Sequence, residues 1–275
     1  MKTRRAIANL ITHATLIIAA LLAMFPLFWV LLTSFKTNRD AVAPAERAFD
    51  FVPTIENYHE LFESSVFIRA AGTSVLITLV ATAIVVVAAT LGGYAFARLR
   101  FAGRRTLASV MVIVQVIPGV VLIVPLFRMV SGLGVYDYWW PIALVLAGLS
   151  VPFGTWLMLA FFRGSPIEIE EAAVVDGANR FKLFRYVLIP MVAPGIATVA
   201  IFTAIAVWNA FLIPLVLGQT RAQTLTVFAA QFITFQGVNW GPLSAAAVLI
   251  IAPIVLFVLA MQRPLVRGLT AGSVK

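Results

Sequence analysis

Long apolar stretches alternate with short charged ones along this chain, and the apolar stretches set the architecture. A helix needs about 20 apolar residues to cross roughly 30 Å of hydrocarbon. Six charge-poor stretches are long enough: 9–34, 69–97, 106–129, 141–162, 191–217 and 243–262. Lipid offers no hydrogen bonds to a bare backbone, so each is expected to be a helix. The first follows Lys2, Arg4 and Arg5 as a signal peptide would, but its apolar run extends from Ala6 to Phe35. That is too long for a signal h-region, and it is read as a retained span. Residues 222–242 carry Gln223, Thr224, Thr226, Gln231, Thr234, Gln236 and Asn239, and are expected to form an external loop before the last span. Proline falls within most spans, at Pro26, Pro118, Pro125, Pro152, Pro194, Pro214 and Pro253, and each removes a backbone donor and favours a kink.

Composition agrees with a multi-pass membrane protein. With 62% hydrophobic and 11% charged residues and a mean hydropathy of +1.02, the chain lacks the polar surface a water-soluble globule needs. Cysteine is absent, which excludes disulfides and thiol chemistry, and His13 and His59 lie too far apart in sequence to make a metal site the reading of choice. The net charge of +9 would point to nucleic acid in a soluble chain, but here the basic residues flank apolar spans. They set orientation instead. An even number of spans puts both termini on one side. Lys2, Arg4, Arg5, Arg98, Arg100, Arg104, Arg105, Arg163, Arg180, Lys182, Arg185, Arg263, Arg267 and Lys275 gather there, whereas Asp40, Glu46, Asp50, Glu56, Glu60, Glu63 and Asp137 lie opposite. Both termini are therefore expected in the cytoplasm. Tyr136, Tyr138, Trp139 and Trp140 mark an outer boundary before the fourth span. No span interior holds an Asp, Glu, Lys or Arg, which argues against a pump that energises itself by moving ions.

One charged island, Glu168 to Arg185, is stranded between the fourth and fifth spans. Ser165 is expected to cap a helix, with Pro166 at its first position, Glu168 closing a capping box and Gly177 ending it in a left-handed turn. A second short amphipathic segment with Phe181 and Phe184 follows, and Pro190 marks the start of the fifth span. Two carboxylates beside alanines, with no histidine or nucleophile near, do not make a catalytic pair. An interfacial helix lying on lipid is the plain alternative. The acids Glu168, Glu170, Glu171 and Asp176 oppose it, because anionic leaflets repel them. A docking helix for a protein partner fits better.

Glu171-Ala172-Ala173, three residues, Gly177, nine residues, then Val187-Leu188-Ile189-Pro190 resembles the E-A-A-x3-G-x9-I-x-L-P loop of the membrane subunits of bacterial ATP-binding-cassette importers, with Val187 and Ile189 as conservative departures. The tail, Gln262-Arg263 and Arg267 to Lys275, is similar to the end of the second permease of maltose-type carbohydrate importers. So are Asn57-Tyr58 with Leu61-Phe62, the run Gly93 to Phe101, Trp208-Asn209 with Phe211 and Pro214, and Trp240-Gly241. Ser273 replaces a usual alanine, and Gly72-Thr73-Ser74 a usual asparagine-containing start.

The resemblance implies an all-α polytopic membrane protein of six transmembrane helices with the type I importer permease fold. It would form a single domain over 1–275, with core helices at 69–262 and a cytoplasmic coupling loop at 163–190. Its implied place is the bacterial cytoplasmic membrane, embedded in lipid. Its implied partners are a homologous second permease, an ATPase dimer and an extracytoplasmic sugar-binding protein, with no nucleic acid. Glu171, Ala172, Ala173, Gly177 and Pro190 would carry ATPase coupling, and the basic tail would also touch the ATPase. No G-x4-G-K-[ST] loop occurs, so ATP is left to the partner subunits and the chain itself needs no cofactor. Sugars call for neutral hydrogen-bonding groups and aromatic faces, which Gln115, Trp208 and Asn209 offer in mid-chain; bonds between helices, worth roughly 1 kcal/mol each, are the other reading of the two amides. Phe235, Gln236 and Trp240 lie where the family's loop reaches toward the binding protein, although an interfacial turn would also explain Trp240. A stand-alone secondary carrier of a neutral solute is the competing function.

Overall fold

The computed structural model describes residues 2–271, with side chains described at Asn9 and across 12–259. The helices are α1 (Lys2–Ser34), α2 (Asn38–Ala41), α3 (Glu56–Glu63), α4 (Ser65–Arg98), α5 (Arg104–Val116), α6 (Gly119–Gly132) and α7 (Trp139–Gly164). They continue with α8 (Ile167–Val175), α9 (Arg180–Lys182), α10 (Ile189–Met191), α11 (Ala193–Trp208), α12 (Leu212–Leu217), α13 (Leu225–Ala230) and α14 (Trp240–Ala271). A π-turn, Leu183–Leu188, joins α9 to α10, and a small hairpin pairs β1 (Ile233–Thr234) with β2 (Gly237–Val238).

Among the described residues, four helices are long and apolar enough to cross a membrane: Thr12–Ser34 within α1, α4, α7 and Trp240–Leu259 within α14. The number rises to six if each of two bent pairs counts as one span. The expected third span, 106–129, is not a continuous helix, because α5 and α6 meet at 101°. Pro118 causes the break: it forces Ile117 into an extended conformation (ψ 120°) and brings no N–H to continue α5. The expected fifth span, 191–217, is broken as well. The chain turns by 71° at Val192, between Pro190 and Pro194, and again leaves the helix after Trp208 before α12 begins. Not every proline acts this way, since Pro26, Pro125 and Pro152 sit inside uninterrupted helices.

The chain divides into two compact units, one reaching to Ile68 and including Phe228–Pro253, the other formed by Arg69–Val227 and the chain from Ile254 onward. In the first unit a polar knot fixes the end of α1. Asn57 Nδ2 donates to the carbonyls of Ser34 and Lys36, each at 2.9 Å, and the Ser34 and Tyr58 hydroxyls share a hydrogen bond of 2.6 Å. Lys36 is only 2% exposed; its ammonium donates to the Ala48 carbonyl and lies over the Trp29 and Phe51 rings, at 5.2 and 4.7 Å from their centroids. Phe67, Phe228 and Phe232 extend this unit as an edge-to-face series, with centroids 5.5 and 5.6 Å apart.

The core of the second unit joins Ile77, Ala81, Val85 and Ala89 of α4 to Ile142, Ala143, Ala147, Met158 and Phe162 of α7, with Val199 of α11. Small residues matter because lipid removes the hydrophobic drive between helices and leaves close van der Waals approach to hold them. A Cβ placed on Gly154 would lie 2.9 Å from that of Ala89. Asp137, at φ +60°, fastens the segment after α12: its carboxylate accepts the backbone N–H groups of Thr220, Arg221 and Ala222 at 3.1, 2.9 and 3.2 Å. Burial, with the neighbouring Asp137 charge second, pushes the Tyr136 phenol above its ordinary value.

Candidate functional site

The charged island folds as a helix, a left-handed turn and a second helical segment, but it starts differently from the expectation. Ser165 does not cap α8. It ends α7, donating its hydroxyl to the Phe161 carbonyl at 3.0 Å, and Pro166 takes the N-cap position without a side-chain hydrogen bond. The reason is local: the residue before a proline is extended, and the last turn of α7 has orphan carbonyls that claim the hydroxyl. The helix ends as expected. Gly177 adopts φ +83°, its N–H donates to the Val174 carbonyl, and the Ala178 N–H donates to that of Ala173, both at 3.0 Å. This is a Schellman ending. Asn179 then starts the next segment, its side-chain oxygen accepting the Lys182 N–H at 2.8 Å. The Ile189 N–H reaches back to Phe184, the five-residue spacing of a π-turn. Pro190 lies exposed within α10, so the start of α11 comes later, at Ala193.

The two sides of α8 differ sharply in character. Glu168, Glu171, Ala172 and Asp176 are exposed, and Ala173 is half-buried against the core. Among them stand large apolar side chains open to the surroundings: Ile167, Ile169, Val174, Val175 at 85%, then Phe181 at 74% and Tyr186. Glu170 alone on this helix is buried. Its Oε1 accepts from Arg98 Nε at 2.7 Å, and Arg98 Nη2 donates to the Ser165 carbonyl at 2.9 Å. Sequence reasoning missed this pair. Arg98 read as an orientation charge and Glu170 as one more surface acid. The available signal was that Glu170 and Ala173, three apart, share a helix face turned away from Glu171.

The remaining candidates occupy separate places. Gln115 is exposed near the end of α5, two residues before Ile117. Asn209 ends α11 and donates its Nδ2 to the Ile205 carbonyl at 2.8 Å, next to the half-buried Trp208. Phe235 and Gln236 form the tip of the hairpin, where a plain loop was expected. Phe235 is fully exposed, Thr234 Oγ1 donates to the Gly237 carbonyl at 2.9 Å, and the Trp240 N–H donates to Asn38 Oδ1 at 2.8 Å. In the tail, the side chains of Arg263 and Arg267 and all of 272–275 lie outside the described residues.

Residues 85–271, which include the whole island, match the family described as binding-protein-dependent transport system inner membrane component. The chain belongs to this family. The permease is 34% identical to the trehalose transport system permease protein SugB of Mycobacterium tuberculosis, over 92% of this chain and 93% of that one. It is 31% identical to the diacetylchitobiose uptake system permease protein DasC of Streptomyces coelicolor, over 96% of each. Among solved structures, a chain of a bacterial ABC transporter involved in the import of the acidic polysaccharide alginate superposes with a TM-score of 0.77 at 21% identity, covering 94% of this chain and 96% of that one. A chain of the MetNI methionine transporter gives 0.57 at 21% identity, over 74% and 96%. These two likenesses establish the fold. The permease is thus a multi-pass membrane subunit of an ABC importer, a transport component and not a catalytic one.

Proposed function

We propose that this permease forms half of the translocation pathway of a sugar or oligosaccharide importer in the bacterial cytoplasmic membrane. It works beside a homologous second permease, is driven by an ATP-binding-cassette ATPase dimer and is supplied by an extracytoplasmic sugar-binding protein. It crosses the membrane six times, each bent pair counting as one span, and both termini are cytoplasmic. Within this single permease domain, residues 163–190 are the coupling loop. The relatives named for trehalose and diacetylchitobiose support the substrate class.

One observation carries the coupling role: the exposed surface of α8 and α9 mixes Glu171 with large apolar side chains, Val175 of α8 and Phe181 of α9 foremost. Such a face, kept beside cytoplasmic acids that anionic lipid repels, has the make-up of a protein interface. Glu171, Ala172 and Gly177 seat in the ATPase, Ala173 holds their helix against the core beneath them, and Pro190 ends the loop. Gln115, Asn209 and Trp208 offer amides and an aromatic face to the sugar path, and Phe235, Gln236 and Trp240 face the binding protein.

The test is the complex reconstituted in proteoliposomes with its ATPase, second permease and binding protein. Gly177→Trp is expected to lower both sugar uptake and binding-protein-stimulated ATP hydrolysis by about tenfold or more. Unchanged coupling in an assembled complex overturns the role given to the loop. Uptake by this chain alone, indifferent to ATP and abolished by an uncoupler, overturns the whole reading.

A further inference from the structure

Arg98 is the last residue of α4, a helix that runs from Ser65 and supplies Ile77, Ala81, Val85 and Ala89 to the core. Its guanidinium grips two helices at once, α8 through Glu170 at 2.7 Å and the end of α7 through the carbonyl of Ser165 at 2.9 Å. The side chains keep only 13% and 9% of their exposure. One turn earlier on α4, Tyr94 packs edge-on against Phe162 of α7 and Phe184 of the π-turn, with ring centroids 5.5 and 5.8 Å away. The end of α4 therefore holds both halves of the island, α8 through Arg98 and the π-turn through Tyr94.

A buried ion pair is a poor device for stability alone, since a well-packed apolar pair of similar volume often serves as well. What the pair adds is direction. The guanidinium is a flat, rigid fork: Nε holds Glu170 of α8 while Nη2 holds the Ser165 carbonyl at the end of α7, so one planar group fixes where α8 lies relative to both α4 and α7. An apolar contact would let α8 roll or slide against α4. The fork does not.

We propose that Arg98 and Glu170 are positioning residues for coupling: they lock α8 to the end of α4, so that displacement of α8 by a docked ATPase is delivered to the membrane core through α4. This rests on the docking reading of α8. Glu171 and its exposed neighbours touch the ATPase, whereas Glu170, about 100° round the helix and buried against Arg98, transmits.

The complete reconstituted importer tests this with Arg98→Gln, Glu170→Gln, Arg98→Lys and the exchanged pair Arg98→Glu with Glu170→Arg. In complexes that retain their ATPase, the two glutamine variants are expected to keep ATP hydrolysis while sugar uptake per ATP falls about tenfold. Arg98→Lys, which keeps the charge and loses the fork, is expected to fall in between, and the exchanged pair to recover most of the loss. The natural chain has no cysteine, so Arg98→Cys with Glu170→Cys can be joined selectively within it by a short bifunctional thiol reagent. Joining is expected to restore uptake per ATP. Uptake per ATP within about twofold of wild type in the assembled glutamine variants overturns the proposal. Loss of assembly in both, shared by Arg98→Lys, overturns it too, because the pair would then serve the fold alone. An importer whose coupling ignores Gly177→Trp yet responds to Arg98→Gln counts against the docking reading instead.

Discussion

Gly93 lies directly against Met158, so closely that a Cβ on the glycine would fall 2.5 Å from the Met158 Cβ and 2.9 Å from the Leu159 backbone nitrogen. Here α4 and α7 meet nearly backbone to backbone. The contact atoms cannot swing aside, because they are a Cβ and main chain. Gly93→Ala is expected to lower stability by about 1–3 kcal/mol, and Gly93→Leu to prevent recovery of a folded permease. Met158→Ala should not rescue Gly93→Leu, since it leaves the obstructing atoms in place. Unfolding temperature in detergent and monodispersity after purification measure both.

Asp137 gathers the N–H groups of Thr220, Arg221 and Ala222 onto one carboxylate. Asp137→Ala strands all three donors and is expected to destabilise the protein by about 1–2 kcal/mol, with Asp137→Asn costing less because an acceptor remains. Backbone amide exchange at 220–222 should rise in step.

Lys36 combines a buried stem with a hydrogen bond to Ala48 and two aromatic faces. Lys36→Met keeps the packing and loses only the polar contacts, so it is expected to be milder than Lys36→Ala, which leaves a void and an unpaired carbonyl worth about 3 kcal/mol together. Thermal unfolding of the two variants side by side decides the order.

Val175 and Phe181 are exposed, so their loss leaves the fold untouched if they serve a partner. Val175→Asp and Phe181→Asp are expected to shift stability by no more than about 0.5 kcal/mol while sharply reducing the ATPase that copurifies. A fall in unfolding temperature with full ATPase recovery would contradict the interface reading.

Phe235 stands free at the hairpin tip. Phe235→Ser is expected to weaken stimulation of ATP hydrolysis by the binding protein and to leave the unstimulated rate alone. Titration of the binding protein against the reconstituted complex shows it as a higher half-saturating concentration.

The island shows how legible the candidate site was. Gly177 was readable because only a left-handed residue closes a Schellman ending and glycine accepts that conformation freely. Ser165 was misread because its preferences as a cap for α8 and as an end for α7 are satisfied by the same hydroxyl, and a neighbouring helix decides between them. The Arg98–Glu170 pair joins residues 72 positions apart, a distance at which local pattern says nothing of pairing. Proline tells the same story. Pro118 breaks a helix and Pro152 does not, although both interrupt apolar runs that look alike in sequence.

Hydropathy and charge were enough to make this chain a membrane protein, to locate its apolar helices and to single out the island, because water and lipid act on each segment through its own composition. Tertiary structure decided which runs bend, which acid turns inward and which apolar side chains remain uncovered. Those outcomes depend on what lies across the gap from each residue: a glycine against a methionine, or a glutamate against an arginine from another helix.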